Sequence, residues 1–305
     1  MTLIVTVSSP ETIWLVADRR ISYEDRDPKD DALKLLSLNT PDEVALLGYA
    51  GLGETVRGTE PAEWMSAVLR SRNVALEQAL SILAEAARRH LPAHLRRLPQ
   101  KFSRDHRILV PAFLNGSQKL YSINILQAPG QASYGLHLRR HIAGTHGVLA
   151  DITPRIGLAG AYSHLKAKKT WARALLHLVT ACDEGKVAHD AVADRLAAIN
   201  DMVYREDKSV GPRCIVAWKN RPGGVHSDGG GHRYYTEVNL ESEFPAFPTI
   251  VHGIDMCARI GAMASVLVGG MPSPGQDLVS WKKQRIDALN AAISNLPDSP
   301  DERLR

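Results

Sequence analysis

Apolar and β-branched side chains crowd into two runs at the start of the chain, Leu3 to Val7 and Thr12 to Ala17. Between them lies the turn-forming cluster Ser8-Ser9-Pro10-Glu11. The pattern predicts a β-hairpin. With its turn centred near Pro10, residues whose numbers sum to about twenty face each other: Thr2 and Asp18, Ile4 and Val16, Thr6 and Trp14, all on one face. A polar, charge-dense loop follows from Ile21 to Asp31. Leu33 to Leu38 and Val44 to Ala50 then read as strands joined by Asn39-Thr40-Pro41-Asp42, with Gly51-Leu52-Gly53 ending the pair. Two helices are expected next, Pro61 to Ser71 with proline in its first turn, and Val74 to His90 closed by Pro92.

Strands resume at Ile108 to Leu114, Leu120 to Leu126 and Tyr134 to Arg140. Pro154 to Tyr162 leads into a long helix that stops at Asp183-Glu184-Gly185. A further helix carries Ala188, Val192, Leu196, Ile199 and Val203 on one face and runs out at Tyr204-Arg205-Glu206. Cys214 to Lys219 is a strand, and the glycine-rich stretch Gly223 to Gly231 follows it. Strands and helices thus come in blocks, which argues for an α+β fold of antiparallel sheets with helices layered outside them. From about Thr236 the pattern changes. Pro245 and Pro248 interrupt the chain, Ile254 to Leu267 and Trp281 to Ile293 read as helices, and Pro297 to Arg305 as a frayed tail.

Length and composition narrow the function classes. The 305 residues, 44% hydrophobic and 23% charged, suit one large domain, or one domain with an extension. Three cysteines without CxxC spacing argue against a disulfide framework or zinc site and for a reducing compartment. With neither a signal-peptide pattern nor a long apolar run, a cytoplasmic protein without a membrane span is expected. The net charge of +4 is modest and concentrated in Arg88 to Arg107. That stretch lacks the aromatic interleaving of a single-strand platform, so nucleic acid is the outside reading. No cofactor is expected. His226-Ser227-Asp228 with His232 has no rigid frame for a metal, His90 and His94 are split by Pro92, and Gly51-Leu52-Gly53 lacks the Lys-Ser/Thr of a phosphate loop.

The hairpin carries the candidate chemistry. Thr2 has a small side chain, so processing is expected to remove Met1 and expose an α-amine with a pKa of about 7.7–8.0. That amine is suited to take the proton of its own hydroxyl, directly or through water. Lys34 would favour the alkoxide and hold the amine's pKa low, Asp18 would pair with Lys34, and the Gly51 N–H would meet the oxyanion.

These residues carry a resemblance. Thr2 leading into LIVTV, V-A-D-R-R (Val16 to Arg20), Lys34, G-Y-A-G (Gly48 to Gly51) and Tyr204-Arg205-Glu206-x-x-Ser209-x-Gly211 resemble the proteasome-type N-terminal-nucleophile (Ntn) hydrolases. That family includes proteasome β-subunits, the peptidase of the bacterial two-component protease, and Anbu. The resemblance covers roughly Thr2 to Lys219. It implies a four-layer αββα sandwich over residues 1–235, followed by a mostly helical extension, 236–305, packed on the core or used in assembly. It also implies a threonine-type peptidase or amidohydrolase acting through an acyl-enzyme. Thr2 is then the nucleophile, Asp18, Lys34 and Gly51 have the roles above, and Glu206 and Ser209 support the amino end. The implied partners are a peptide or amide substrate, a homo-oligomeric ring and an ATP-dependent unfoldase. Two positions depart from the pattern: the family's late Asp is Glu206, and the Ser expected before the third helix is Ala159. The second departure keeps a catalytically silent ring or scaffold subunit as the alternative.

Overall fold

The computed structural model describes residues 2–23, 26–51, 53–55, 58–95, 106–127, 134–141, 156–167, 170–226, 229–235, 247–261 and 277–294. Strands β1 (Leu3–Ser8) and β2 (Thr12–Asp18) form the opening hairpin, joined by a tight turn. They lie at the heart of a five-stranded sheet ordered β10-β9-β2-β1-β8, with β8 at Ile156–Gly160, β9 at Cys214–Asn220 and β10 at Gly230–Tyr235. The second sheet has seven strands. Its main body is β3 (Leu35–Asn39), β4 (Val44–Ala50), β5 (His106–Leu114), β6 (Ser117–Gln127) and β7 (Tyr134–His141), adjacent in that order.

The two sheets pack face to face through Ile4, Ile13, Leu15 and Ala17 on one side and Leu35, Leu46, Leu109 and Phe113 on the other. Helices α1 (Pro61–Leu69) and α2 (Leu76–Leu95) cover the outer face of the seven-stranded sheet. Helices α4 (Thr170–Asp183) and α5 (His189–Glu206) cover that of the five-stranded one, after a short α3 (Ser163–Ala167). This is the four-layer αββα arrangement. Every residue of β1 and β2 is buried because both faces of their sheet are covered, which is why those strands read as nearly continuous apolar runs.

The hairpin register differs by one residue from the sequence expectation. The pairs are Ile4 with Ala17, Val5 with Val16 and Thr6 with Leu15. The turn explains it: the Ser9 N–H donates to the Thr12 carbonyl at 2.9 Å, so the bend is centred between Pro10 and Glu11. Such a slip changes which side chains share a face. Thr2 and Asp18 are therefore not cross-strand neighbours, and another contact brings them together.

Two further boundaries move. The α2 backbone runs on past Pro92 to Leu95. Ile254 does not begin a helix. Residues Thr249–Val251 form β11, parallel to β3, and Ile254–Asp255 form β12 beside it, extending the seven-stranded sheet at its β3 edge. Helical backbone starts only at 256, and the remainder of the stretch to Leu267 lies outside the described residues. A last helix, α6 (Leu278–Ser294), exposes Leu278, Val279 and Ile286. Among the described residues no helix is long and apolar enough to cross a membrane.

Candidate active site

The start of β1, the ends of β2, β4 and β8, and the segment between α5 and β9 converge at one end of the sandwich. Lys34, immediately before β3, is 1% exposed there and Asp18 is fully buried. The Lys34 ammonium donates to Thr2 Oγ1 at 3.0 Å, to Asp18 Oδ1 and Oδ2 at 3.2 and 3.1 Å, and to the carbonyl of Arg20. Burial pulls the Lys34 pKa below the usual lysine range, and the Asp18 carboxylate opposes that pull.

The Asp18 carboxylate also ties three backbone segments together. It accepts from Leu3 N at 2.8 Å, Arg20 N at 2.9 Å and Gly211 N at 3.2 Å. These donors come from the start of β1, the chain just past β2 and the approach to β9. These bonds satisfy the buried carboxylate's lone pairs and fix its position. Lys34 therefore links Thr2 to Asp18 despite the shifted register.

Gly160 ends β8 opposite Leu3, at φ +79°. A Cβ there would lie 1.6 Å from the Thr2 carbonyl oxygen and 3.5 Å from Ala50 Cβ. The Thr2 carbonyl accepts from Ala161 N at 2.8 Å. The first residues of β1 are thus clamped on both sides, against Asp18 and against the end of β8. Gly51 follows β4 at φ +143°, where a Cβ would meet His106 Nδ1 at 2.0 Å. The same nitrogen lies 3.1 Å from Tyr49 Oη, and burial lowers the His106 pKa to about 4. Leu52, beside Gly51, lies outside the described residues.

The late motif is arranged differently from the expectation. Glu206, the last residue of α5, is exposed. Its neighbour Asp207, at the helix C-cap, accepts from Ser209 Oγ at 2.6 Å and Ser209 N at 2.9 Å. Burial works against the Asp207 charge, but the two bonds from Ser209 outweigh it and lower the pKa, with further help from His164. The Asp-x-Ser spacing of an Asx-turn is the signal in the sequence that points to Asp207. Ala159 pairs with Ile4 and packs in the core between the sheets, 1% exposed, so it supplies no hydroxyl to the site.

The loop after β2 is fastened close by. Arg20 forms a two-pronged ion pair with Asp30, both contacts at 2.7 Å, and donates to the Lys208 carbonyl. Lys29 meets Glu60, whose other oxygen accepts from Leu33 N at 2.7 Å, so loop and α1 are tied to the residue before Lys34.

The other sequence candidates sit elsewhere. His232 stacks on Phe247, with ring centroids 4.5 Å apart, while Ser227 and Asp228 lie outside the described residues. His90 packs edge-on against Trp64, and the side chain of His94 is not described. In the basic stretch Arg88 and Arg89 pair with Glu85, and residues 96–105 are not described. Cys214 is core.

No protein-family model matches the chain, and no curated protein matches it. Solved structures do. The helical assembly of the Anbu complex from Pseudomonas aeruginosa is 15% identical, with a TM-score of 0.48, over 90% of this chain and 98% of that one. A Gly-1 mutant of Anbu from Hyphomicrobium sp. strain MC1 is 13% identical, with a TM-score of 0.47, over 97% and 98%. HslV from Trypanosoma brucei is 17% identical, with a TM-score of 0.38, over 71% and 98%. The chain is thus similar to Anbu and HslV structures along most of its length, at 13 to 17% identity.

Proposed function

We propose that the protein is an N-terminal threonine hydrolase that cleaves peptide or other amide bonds through an acyl-enzyme once Met1 is removed. The observation that carries this is the buried ammonium of Lys34, 3.0 Å from Thr2 Oγ1 and held by Asp18. A cation fixed against a hydroxyl favours its alkoxide, and the α-amine released on the same residue is a base of suitable strength. Thr2 Oγ attacks the scissile carbonyl and passes its proton to the amine, directly or through water. The Gly51 N–H meets the oxyanion. Collapse expels the leaving amine, which takes the proton, and leaves an ester on Thr2 that water hydrolyses to acid and free threonine. In this reading Ser209, held by its two bonds to Asp207, supports the amino end.

Self-assembly belongs to the same proposal. The Pseudomonas aeruginosa Anbu structure is a helical assembly, and here α6 offers exposed Leu278, Val279 and Ile286 to a neighbouring copy. An ATP-dependent unfoldase is the partner class proposed for feeding such an assembly. The division into a hydrolase domain at 1–235 and an extension at 236–305 remains part of this reading.

Ala159 favours a second reading, a silent ring or scaffold subunit. Intact mass and an epoxyketone or β-lactone threonine probe decide between the two. Protein lacking Met1 should be labelled, and Thr2→Ala should not. A retained Met1, or labelling that ignores the Thr2→Ala change, leaves the scaffold reading.

A further inference from the structure

The opposite end of the opening hairpin holds a second cluster. β1 is six residues long, so its turn lies about 20 Å from Thr2. Behind that turn meet the last turn of α4, the first turn of α5 and the loop after β9. They bring together Cys182, His189 and His226, whose ligand atoms all lie within 4.8 Å of one another. In a tetrahedral zinc site with ordinary Zn–S and Zn–N bonds those atoms stand about 3.3–3.6 Å apart. A shift of roughly an ångström, within side-chain rotation, closes the difference.

The surroundings set the donors up. The His189 ring stacks on Trp218 at an interplanar angle of 10° and lies 5.5 Å from the Trp14 ring. Its Nε2 is 3.0 Å from Asn220 Oδ1, which also accepts from Thr12 Oγ1 at 3.1 Å. A carboxamide oxygen only accepts, so Nε2 carries the hydrogen and the lone pair falls on Nδ1. A buried amide fixing the tautomer is the outer shell of a metal-bound histidine. The His226 ring stands edge-on to His189 with centroids 4.6 Å apart, and His226 Nε2 is buried without a hydrogen-bond partner. Cys182 is 1% exposed. Asp183 and Glu11 add negative charge nearby.

We propose that Cys182, His189 and His226 bind one zinc-class divalent ion, joining the α4–α5 connection to the β9–β10 loop behind the hairpin turn. One thiolate and two imidazoles suit zinc and exclude magnesium or calcium as the preferred ion. Asp183, next along the chain, accepts instead from Ser9 Oγ at 2.8 Å, so the fourth position falls to solvent or an exogenous ligand.

The test uses the full-length protein, stripped with a chelator and dialysed against zinc, with cobalt as the spectroscopic probe. Wild type should retain one zinc per chain and show a cobalt–thiolate charge-transfer band. Cys182→Ser should lose the band, and His226→Ala should weaken zinc binding roughly a hundredfold or more. His226 lies in a loop, so His226→Ala should keep the metal-free circular dichroism spectrum. Zinc should raise the melting temperature of wild type and not of His226→Ala. Zinc uptake below one equivalent, or uptake equal in wild type and His226→Ala, overturns the proposal. Labelling at Thr2 is a separate measurement, and zinc binding stands or falls without it.

Discussion

Asp18→Ala and Lys34→Met remove the two halves of one buried ion pair, yet they should not cost the same. Asp18→Ala leaves three backbone donors, Leu3 N, Arg20 N and Gly211 N, with their acceptor gone and strands the Lys34 ammonium in a site 1% exposed. A buried N–H without its acceptor costs about 1–3 kcal/mol, so the donors alone account for about 5 kcal/mol, before the unpaired charge. Lys34→Met leaves the carboxylate with all three N–H bonds, and its cost should sit at the lower end for a broken buried pair, about 3 kcal/mol. In the double variant the stranded ammonium is gone, so Lys34→Met should recover about 2 kcal/mol of the Asp18→Ala loss. Urea unfolding at one fixed protein concentration measures all three, because self-association adds a concentration-dependent contribution. A Lys34→Met cost equal to or above that of Asp18→Ala, or strict additivity in the double variant, refutes the picture of Asp18 as the anchor. Labelling of Thr2 should disappear in both single variants regardless of their order in stability.

Other positions give independent checks. His106 has a folded pKa of about 4 against about 6.5 when unfolded, so between those values the unfolded chain binds more protons. Its contribution is complete above pH 6.5 and falls by about 3 kcal/mol as pH drops toward 4; His106→Asn should flatten that part of a urea-midpoint profile. Gly160→Ala puts a methyl against the Thr2 carbonyl at a positive φ and should abolish labelling and lower the melting temperature, whereas Gly185→Ala, where nothing lies within 4 Å, should show only the strain of its φ. At the amino end, Asp207→Asn should slow labelling about tenfold or more while Glu206→Gln leaves the rate unchanged; the reverse order would return the role to Glu206.

The sequence carried the layers of the fold more legibly than its joints. Of the expected face Ala188, Val192, Leu196, Ile199 and Val203, the last four are buried because one helix face is a local property, while Ala188 is the exposed N-cap of α5. The hairpin register was less legible because a turn centred one half-step away is a difference of hydrogen bonding between Ser9 and Thr12, not of composition. Ile254 reads as helix in an apolar run, but it pairs with Val251 of β11, which in turn lies on the edge of β3, about two hundred residues earlier. The convergence of Thr2, Asp18 and Lys34 has a sequence trace, the spacing along β1, β2 and the start of β3. Asp207 was hidden by a motif that places the acid three residues before the serine. Cys182 and His189 flank one connection while His226 lies in another, so the three meet only once α4, α5 and β9 have packed together.

The parallel pairing of β11 with β3 also has a bearing on how the protein is made. Ser37 N donates to the Pro248 carbonyl, and Thr249, Ile250 and Val251 align with Ser37, Leu38 and Asn39. During translation the strand that follows Lys34 therefore waits for a segment about two hundred residues downstream, on the order of ten to forty seconds at ordinary elongation rates. Through that interval the ribosome-bound chain presents an unpaired strand border, a surface open to chaperones or to mispairing with another nascent copy. The strand that follows Lys34 is bordered on both sides only once residues 249–251 have emerged.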